Sequence, residues 1–368
     1  MDARAEANRV QKRGERWRQL QGLWGMSSLR SVQHCGRSVI REIGTVGVTV
    51  SAQGQAFYSG LRRCSSVSAC PVCSARIRQG RSVQIEAAGV AWLNQGGRLA
   101  FLTLTLPHDL DDSLAATLGA VRKSWKAVQQ DKAVRAIKAE NVRGFVRATE
   151  NTRGELNGWH PHLHVLLFLE GGCGPDAVEA LRSAIESAWR KAVVKQGFRV
   201  PSWERGVNLQ AVEDRDGGKA LCRYLTKVQD EHGGGSWGVG AEMTRGDLKV
   251  GKRPLSRTPF EILDGALAGV EQDRALWHEY EQATKGLRVI EASRHLFRDL
   301  GVLDVSDDDV CEPGEAEAQV VALITAQEWA WVVRYRACAR VLFEAEQRGG
   351  SGVLVLLESL RQRALAGG

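Results

Sequence analysis

Residues 142–169, VRGFVRATENTRGELNGWHPHLHVLLFL, constrain the fold more than any other part of the 368-residue chain. Residues 142–150 and 162–169 both carry strand patterns, and the Asn- and Gly-rich stretch 151–158 between them is a turn. Two strands joined so tightly predict an antiparallel hairpin. Along a strand, side chains two apart share a face. Leu163, Val165 and Leu167 therefore turn toward a core, while His162 and His164 aim at a common point on the other side. An isolated His-x-His also fits two surface or core-edge histidines. Read instead as half of a divalent metal site, the pair needs a third ligand. Glu150 ends the preceding strand and reaches the same point across the hairpin. A His/His/carboxylate set leaves coordination positions open, which marks a catalytic rather than a closed structural site. His160, just before Pro161, reads as a neighbour rather than a ligand.

The flanking sequence predicts more strands and helices around this hairpin. In FLTLTLP, 101–107, Phe101, Thr103 and Thr105 alternate with Leu102, Leu104 and Leu106, a period-2 pattern closed by Pro107. Residues 80–93 read as a helix ended by Gly96 and Gly97, and 111–140 as a helix burying Leu114, Leu118, Val121 and Trp125. A further helix is expected over 175–197, a short strand over 206–212 and a helix over 217–229, before the break GGGSWGVG at 233–240. Residues 260–285 and 320–348 look helical, residues 34–80 look loop-dominated, and 1–33 form a polar, helix-prone leader.

Charge is unevenly spread. The net charge is +7, yet residues 1–100 alone hold 15 Lys/Arg against 5 Asp/Glu. Asp304, Asp307, Asp308, Asp309, Glu312, Glu315 and Glu317 form an acidic run without a basic residue. A local positive field suits a surface that grips phosphates. No stretch reads as a secretory signal or a spanning helix, so a cytoplasmic location is expected. In a reducing compartment the eight cysteines read as metal ligands or buried thiols rather than disulfides. Cys70 and Cys73 form a C-x-x-C, with Cys64 and Cys35 upstream; four thiolates at these offsets suit tetrahedral zinc. His34 is an alternative to Cys35 as fourth ligand, and a redox or buried-thiol role is the alternative to zinc. Cys173, Cys222, Cys311 and Cys338 read as buried or incidental.

Of four tyrosines, Tyr224 lies in KALCRYLTKV, where Leu221, Leu225 and Val228 make one buried helical stripe and Tyr224 and Lys227 share its flank. On this segment alone, an interfacial tyrosine on an ordinary amphipathic helix is the better account. As a nucleophile, the phenol has an ordinary pKa near 10. It needs a polarised phosphate to attack and a cation such as Lys227 to offset developing charge.

Taken in order, FLTLTLP, GWHPHLHVLLF and RYLTKV resemble the three motifs of the rolling-circle replication initiators of small bacterial plasmids, members of the HUH endonucleases. CPVCSARIRQGR and LWHEYEQATKGLRVIEASRHL are also similar to that family, and the resemblance covers about residues 34–300. It implies an α+β fold: a central antiparallel sheet flanked by helices, preceded by a small zinc-binding segment and followed by a helical C-terminal region. The implied divisions are 1–33, a basic leader; 34–93, the cysteine-rich segment and a helix; 94–235, the nicking domain; 236–300, a linker and helical extension; and 301–368, an acidic linker and helical region.

The resemblance also implies metal-dependent nicking of single-stranded origin DNA. Mg²⁺ or Mn²⁺ is held by His162, His164 and Glu150, and Tyr224 forms a 5′-phosphotyrosine. A host polymerase extends the free 3′ end, a host helicase is a further expected partner, and a second transesterification closes the circle. Several members of the family carry a glutamate one turn before the tyrosine; here that position is Ala220, with Glu213 and Asp214 further upstream. The competing readings are an HUH transposase or relaxase, a non-catalytic zinc-containing DNA-binding regulator, and a barrel metallohydrolase. The last needs His and Asp ligands at further strand ends, which His232, His278 and His295 do not supply.

Overall fold

The computed structural model describes residues 3–52, 54–212, 256–311 and 318–366. The chain divides into two compact units, one made of residues 1–77 and 305–368, the other of residues 78–304. The two ends of the chain, expected to be separate segments, thus fall within one unit.

The larger unit is built on the predicted hairpin. β4 (Val142–Gly154) and β5 (Gly158–Leu169) pair from Val142↔Leu169 to Gly154↔Gly158, with one register shift between Val142 and Gly144. The turn is shorter than the sequence suggested, because the strands run on to enclose only residues 155–157. Gly158 closes it at φ +72°, and a Cβ there would meet the Asp109 carbonyl at 2.9 Å. Glycine supplies both the left-handed backbone and the room for the 108–110 loop to lie on the turn. β3 (Arg98–Leu104) pairs antiparallel with β5 on its other side, and β6 (Val207–Val212) pairs with β3. β7 (Ser256–Arg257) and β8 (Ile290–Ala292) both pair with β4. β5 is therefore interior, with neighbours on both edges.

The two faces of this sheet differ. Leu102, Leu104, Leu163, Val165 and Leu167 bury against Val121 and Trp125 of α4 (Leu114–Gln130), Val134 of α5 (Lys132–Asn141), and Ile185 and Trp189 of α6 (Pro175–Lys195). Each such aliphatic side chain contributes about 1.5–3 kcal/mol on full burial. Helix stops are local: Ser113 caps α4, and Asp131 accepts from the Ala133 and Val134 amides at the start of α5, which splits the helix expected over 111–140 in two. On the other face, Leu166, Phe168, Val146 and Ala148 pack under Ile85, Ala88 and Trp92 of α3 (Pro71–Asn94), with Leu296 and Phe297 beside them. α3 begins nine residues earlier than the helix read from 80–93. α7 (Pro259–Leu267) and α8 (Glu271–Thr284) fill the predicted 260–285 helical stretch.

In the smaller unit, α1 (Ala3–Met26), followed by the short α2 (Arg30–His34), is no loose leader, since Trp17, Leu20 and Leu23 are buried. The region expected to be loops contains β1 (Thr45–Val50) and β2 (Ala56–Ser59), an antiparallel pair. The helix expected from residue 320 is a strand at first: β9 (Gln319–Thr325) pairs antiparallel with β1. Its sequence QVVALIT is rich in branched residues that fit a pleated surface better than a helix. Helices follow at Ala326–Arg334 and Cys338–Ala366. Tyr58 stacks edge-on between Trp17 and Trp329, and its hydroxyl donates to the Cys338 carbonyl at 2.6 Å. No helix among the described residues is long and apolar enough to cross a membrane.

Candidate functional site

Read along one face, β5 changes character midway: His160, His162 and His164 are followed by Leu166 and Phe168. The apolar half lies under α3; the histidine half floors an open cleft of about 1220 Å³. Its lining includes Thr103, Glu150, His160, His162, His164 and Asn208. Register explains why these side chains share one wall, since Glu150 stands opposite His162, and Thr103 stands between His164 and Asn208.

His164 is held on three sides. Its Nδ1 lies 3.2 Å from the Thr103 hydroxyl and its Nε2 3.0 Å from Glu150 Oε2, while Phe101 stacks on its ring at 5.4 Å between centroids. The predicted metal ligands thus meet in part. The 3.0 Å separation of Nε2 and Oε2 is an ordinary hydrogen-bond distance and is also the spacing of two adjacent ligands of an octahedral cation, about 3.0 Å for bonds of about 2.1 Å. The His162 ring runs nearly parallel to His164 at 6.0 Å between centroids. Among the described residues, no His162–His164–Glu150 set brings all three ligand atoms within 4.8 Å of one another.

His160 does more than sit nearby. Its ring meets His162 edge-on at 4.0 Å, and its Nδ1 contacts Nε2 of His108, a residue that no sequence motif singles out. His108 Nδ1 lies 2.7 Å from the Asn157 carbonyl, which only accepts, so Nδ1 carries the proton and Nε2 faces His160 as a lone pair. Burial holds the His108 imidazole below its ordinary value, against the Asn157 hydrogen bond and the nearby Asp112 and Asp109. In sequence His108 directly follows LTLP, but nothing there links it to a partner 52 residues away. Outside the cleft lining, Glu279 of α8 ties β5 to α4, accepting from the Trp159 indole at 2.8 Å and the Leu114 amide at 2.7 Å. Arg199 and Arg205 stand on the rim. Tyr224 and Lys227, like Ala220, Glu213, Asp214 and Cys222, lie outside the described residues.

The cysteines behave differently. Cys35, Cys64, Cys70 and Cys73 bring their sulfurs within 4.8 Å of one another, the only such group of three or more potential ligands among the described residues. Cys35 Sγ lies 3.7 Å from Cys70 Sγ and 3.5 Å from Cys73 Sγ, and Cys64 Sγ lies 3.8 Å from Cys73 Sγ. Thiolates around tetrahedral zinc, with Zn–S of about 2.3 Å, sit about 3.8 Å apart, so the donor set fits that ion. His34 instead contacts the Ser38 hydroxyl. Hydrogen bonds from Cys311 and the other three thiols push the Cys73 thiol down, whereas burial pushes Cys70 up. Cys311 approaches Cys73 as a fifth thiol, and its carbonyl accepts from Arg76 at 2.6 Å. Cys173 and Cys338 are buried away from this group.

The profile of a family described as "Replication protein" matches residues 60–335, three quarters of the chain. The chain belongs to the replication protein family. This bears out the resemblance to plasmid replication initiators drawn from the motifs. "Protein rep" of Streptomyces lividans is 29% identical, across 83% of this chain and 79% of that protein. "Protein rep" of Lentilactobacillus hilgardii is 28% identical, across 69% and 73%. A protein of Streptomyces cyanogenus with the name "Neomycin resistance protein" is 28% identical, across 64% and 68%. No solved structure matches.

Proposed function

We propose that this replication protein starts rolling-circle replication by nicking single-stranded origin DNA in the histidine cleft, and later rejoins the displaced strand. The observation that carries the reading is the meeting of His164, Glu150 and Thr103, with His162 alongside, on the floor of an open polar cleft. It also makes the HUH endonuclease fold the best account of the antiparallel sheet. A divalent cation, Mg²⁺ or Mn²⁺, held by His162, His164 and Glu150 would polarise the scissile phosphate. The phenolate oxygen of Tyr224 attacks phosphorus. The P–O3′ bond breaks, the leaving 3′ oxygen takes up from solvent the proton that the phenol gave up, and a 5′-phosphotyrosine and a free 3′-hydroxyl remain. Lys227 offsets charge on the phenolate. Because one phosphodiester is exchanged for another, rejoining is the reverse attack by a 3′-hydroxyl and needs no ATP. Thr103 orients His164, and Arg199 and Arg205 meet phosphates at the rim. A host polymerase extends the 3′ end, with a host helicase opening the duplex ahead of it.

The four-cysteine group is proposed to hold structural zinc, closed to substrate, with Cys35 rather than His34 as its fourth ligand. The test of the nicking reading is incubation of the protein with single-stranded origin DNA and Mn²⁺. A protein–DNA adduct that survives SDS and is lost in Tyr224→Phe is expected. Absence of an adduct with every divalent metal tried sinks it and favours a non-catalytic DNA-binding regulator.

A further inference from the structure

The sheet face opposite the cleft carries a second feature that the nicking chemistry does not use. Residues 114–141, α4 and α5, hold six Lys/Arg and two acidic residues, Asp131 and, in the last turn of α5, Glu140. Asp131 is committed to the start of α5, where it accepts from two amides. Arg122, Lys123 and Lys126 stand on the exposed side of α4, and Lys132 and Arg135 on the exposed side of α5. None of these five is engaged in an ion pair or side-chain hydrogen bond among the described residues. α6, on the same sheet face, shows the ordinary arrangement: Arg182 pairs with Glu179 at 2.6 Å and Glu186 at 2.9 Å. A solvated helix face normally intersperses both signs at such spacings. Between the cations lie exposed Ala115, Ala116, Ala127, Ala133 and Ala136, which leave the helix surfaces low. Arg122 and Lys126 are one turn apart, about 6 Å along the axis.

We infer that the outer face of α4 and α5 is a phosphate-binding surface for double-stranded DNA, holding duplex on the side of the sheet away from the cleft. The inference rests on the proposed function for its DNA partner but uses none of the cleft residues. Uncompensated cations without exposed aromatics suit backbone contacts to a duplex. Single strands are typically gripped by aromatic side chains on which bases stack.

The test uses the full chain with Arg122, Lys123, Lys126, Lys132 and Arg135 all changed to Gln, which keeps helix propensity. Binding is followed by fluorescence anisotropy across a NaCl series, with an arbitrary duplex of about 30 base pairs and an oligothymidine strand of equal length. Duplex affinity is expected to fall about tenfold or more. The slope of log K against log salt should shrink by about 0.9 for each phosphate no longer neutralised, about 3–4 in all. Oligothymidine affinity and Mn²⁺-dependent cleavage of single-stranded origin DNA should be unchanged. A second variant that exchanges Arg for Lys and Lys for Arg at the same positions should restore duplex binding. Wild-type duplex affinity and slope in the Gln variant overturn the inference, as does a loss confined to oligothymidine. A wild-type protein that binds neither DNA overturns both readings. One that binds duplex through these residues yet never cleaves sinks the nicking proposal and supports this surface.

Discussion

The histidine cleft and the cysteine cluster are both assemblies of metal-binding side chains, and they are built on opposite principles. The four sulfurs lie within 4.8 Å of one another, three of the cysteines buried, already near the spacing of a filled tetrahedron. In the cleft His164 and Glu150 lie 3.0 Å apart, and the His162 ring runs alongside His164 at 6.0 Å between centroids. A closed set of thiolates leaves nothing for substrate to bind, so its free energy can go only into the fold. An incomplete set on an open wall leaves coordination positions free, and is supported instead by a surrounding shell: Thr103, Phe101, and the His108–His160 contact. The shell is what rigid β-strand register provides, and the cysteines need only short loops and one helix start.

The contrast breaks most visibly at the cysteines. Cys70→Ser, or exhaustive chelation, should unfold the unit that contains β1, β2 and β9, because structural zinc can supply about 10 kcal/mol or more to a small fold. The expected result is one zinc per chain by elemental analysis and a fall in Tm of about 10 °C or more in the variant. A zinc-free protein with an unchanged melt refutes the structural half of the comparison. At the cleft the sign of the effects reverses. His164→Ala should cost about 10³-fold in single-strand cleavage, about 4 kcal/mol in the transition state, with little change in Tm. A large loss of stability there makes His164 a core residue and erases the distinction. Thr103→Val removes only the hydroxyl at His164 Nδ1. Removing such a support predicts a decrease of about 10- to 100-fold in rate or metal affinity, read by Mn²⁺ titration of cleavage.

The sheet was legible because its signals are local. The alternation in FLTLTLP and HLHVLLFL assigns each side chain to a face, and a hairpin turn sets register without distant information. The pairing of Glu150 with His162 across that hairpin follows from the same logic. What was not legible depended on tertiary context. QVVALIT follows an acidic run and leads directly into a helix, so its branched residues alone did not mark where strand gives way to helix, and β1 supplies the hydrogen-bond partners that make it a strand. α1 is polar on average and reveals its buried stripe only through the groups it packs on, such as Tyr58 against Trp17. His108 needed the fold to bring it to His160.

The smallest predicted effect tests whether the cysteine-bearing unit also has electrostatic support of its own. Glu346, almost fully buried, accepts from Arg13 at 2.5 Å, Arg9 at 2.9 Å and the Ala56 amide at 2.8 Å. Burial alone raises a carboxyl, but the two guanidiniums and the amide outweigh it and hold Glu346 below the usual carboxylate range. A carboxyl depressed in the fold contributes stability that is fully present above its unfolded pKa and is lost as pH falls through the folded one. Stability of this unit should therefore be flat near neutrality and decline below about pH 4.5. Glu346→Gln should cost about 1–2 kcal/mol at pH 7, since charge-assisted hydrogen bonds are weakened rather than emptied. The check is chemical denaturation of the zinc-loaded protein between about pH 7 and 5, where the thiolates stay metal-bound and the carboxylate is still charged. An unchanged midpoint in the variant over that range shows that thiol ligation alone holds the unit, and sharpens the contrast with a cleft whose geometry depends on many weak supports.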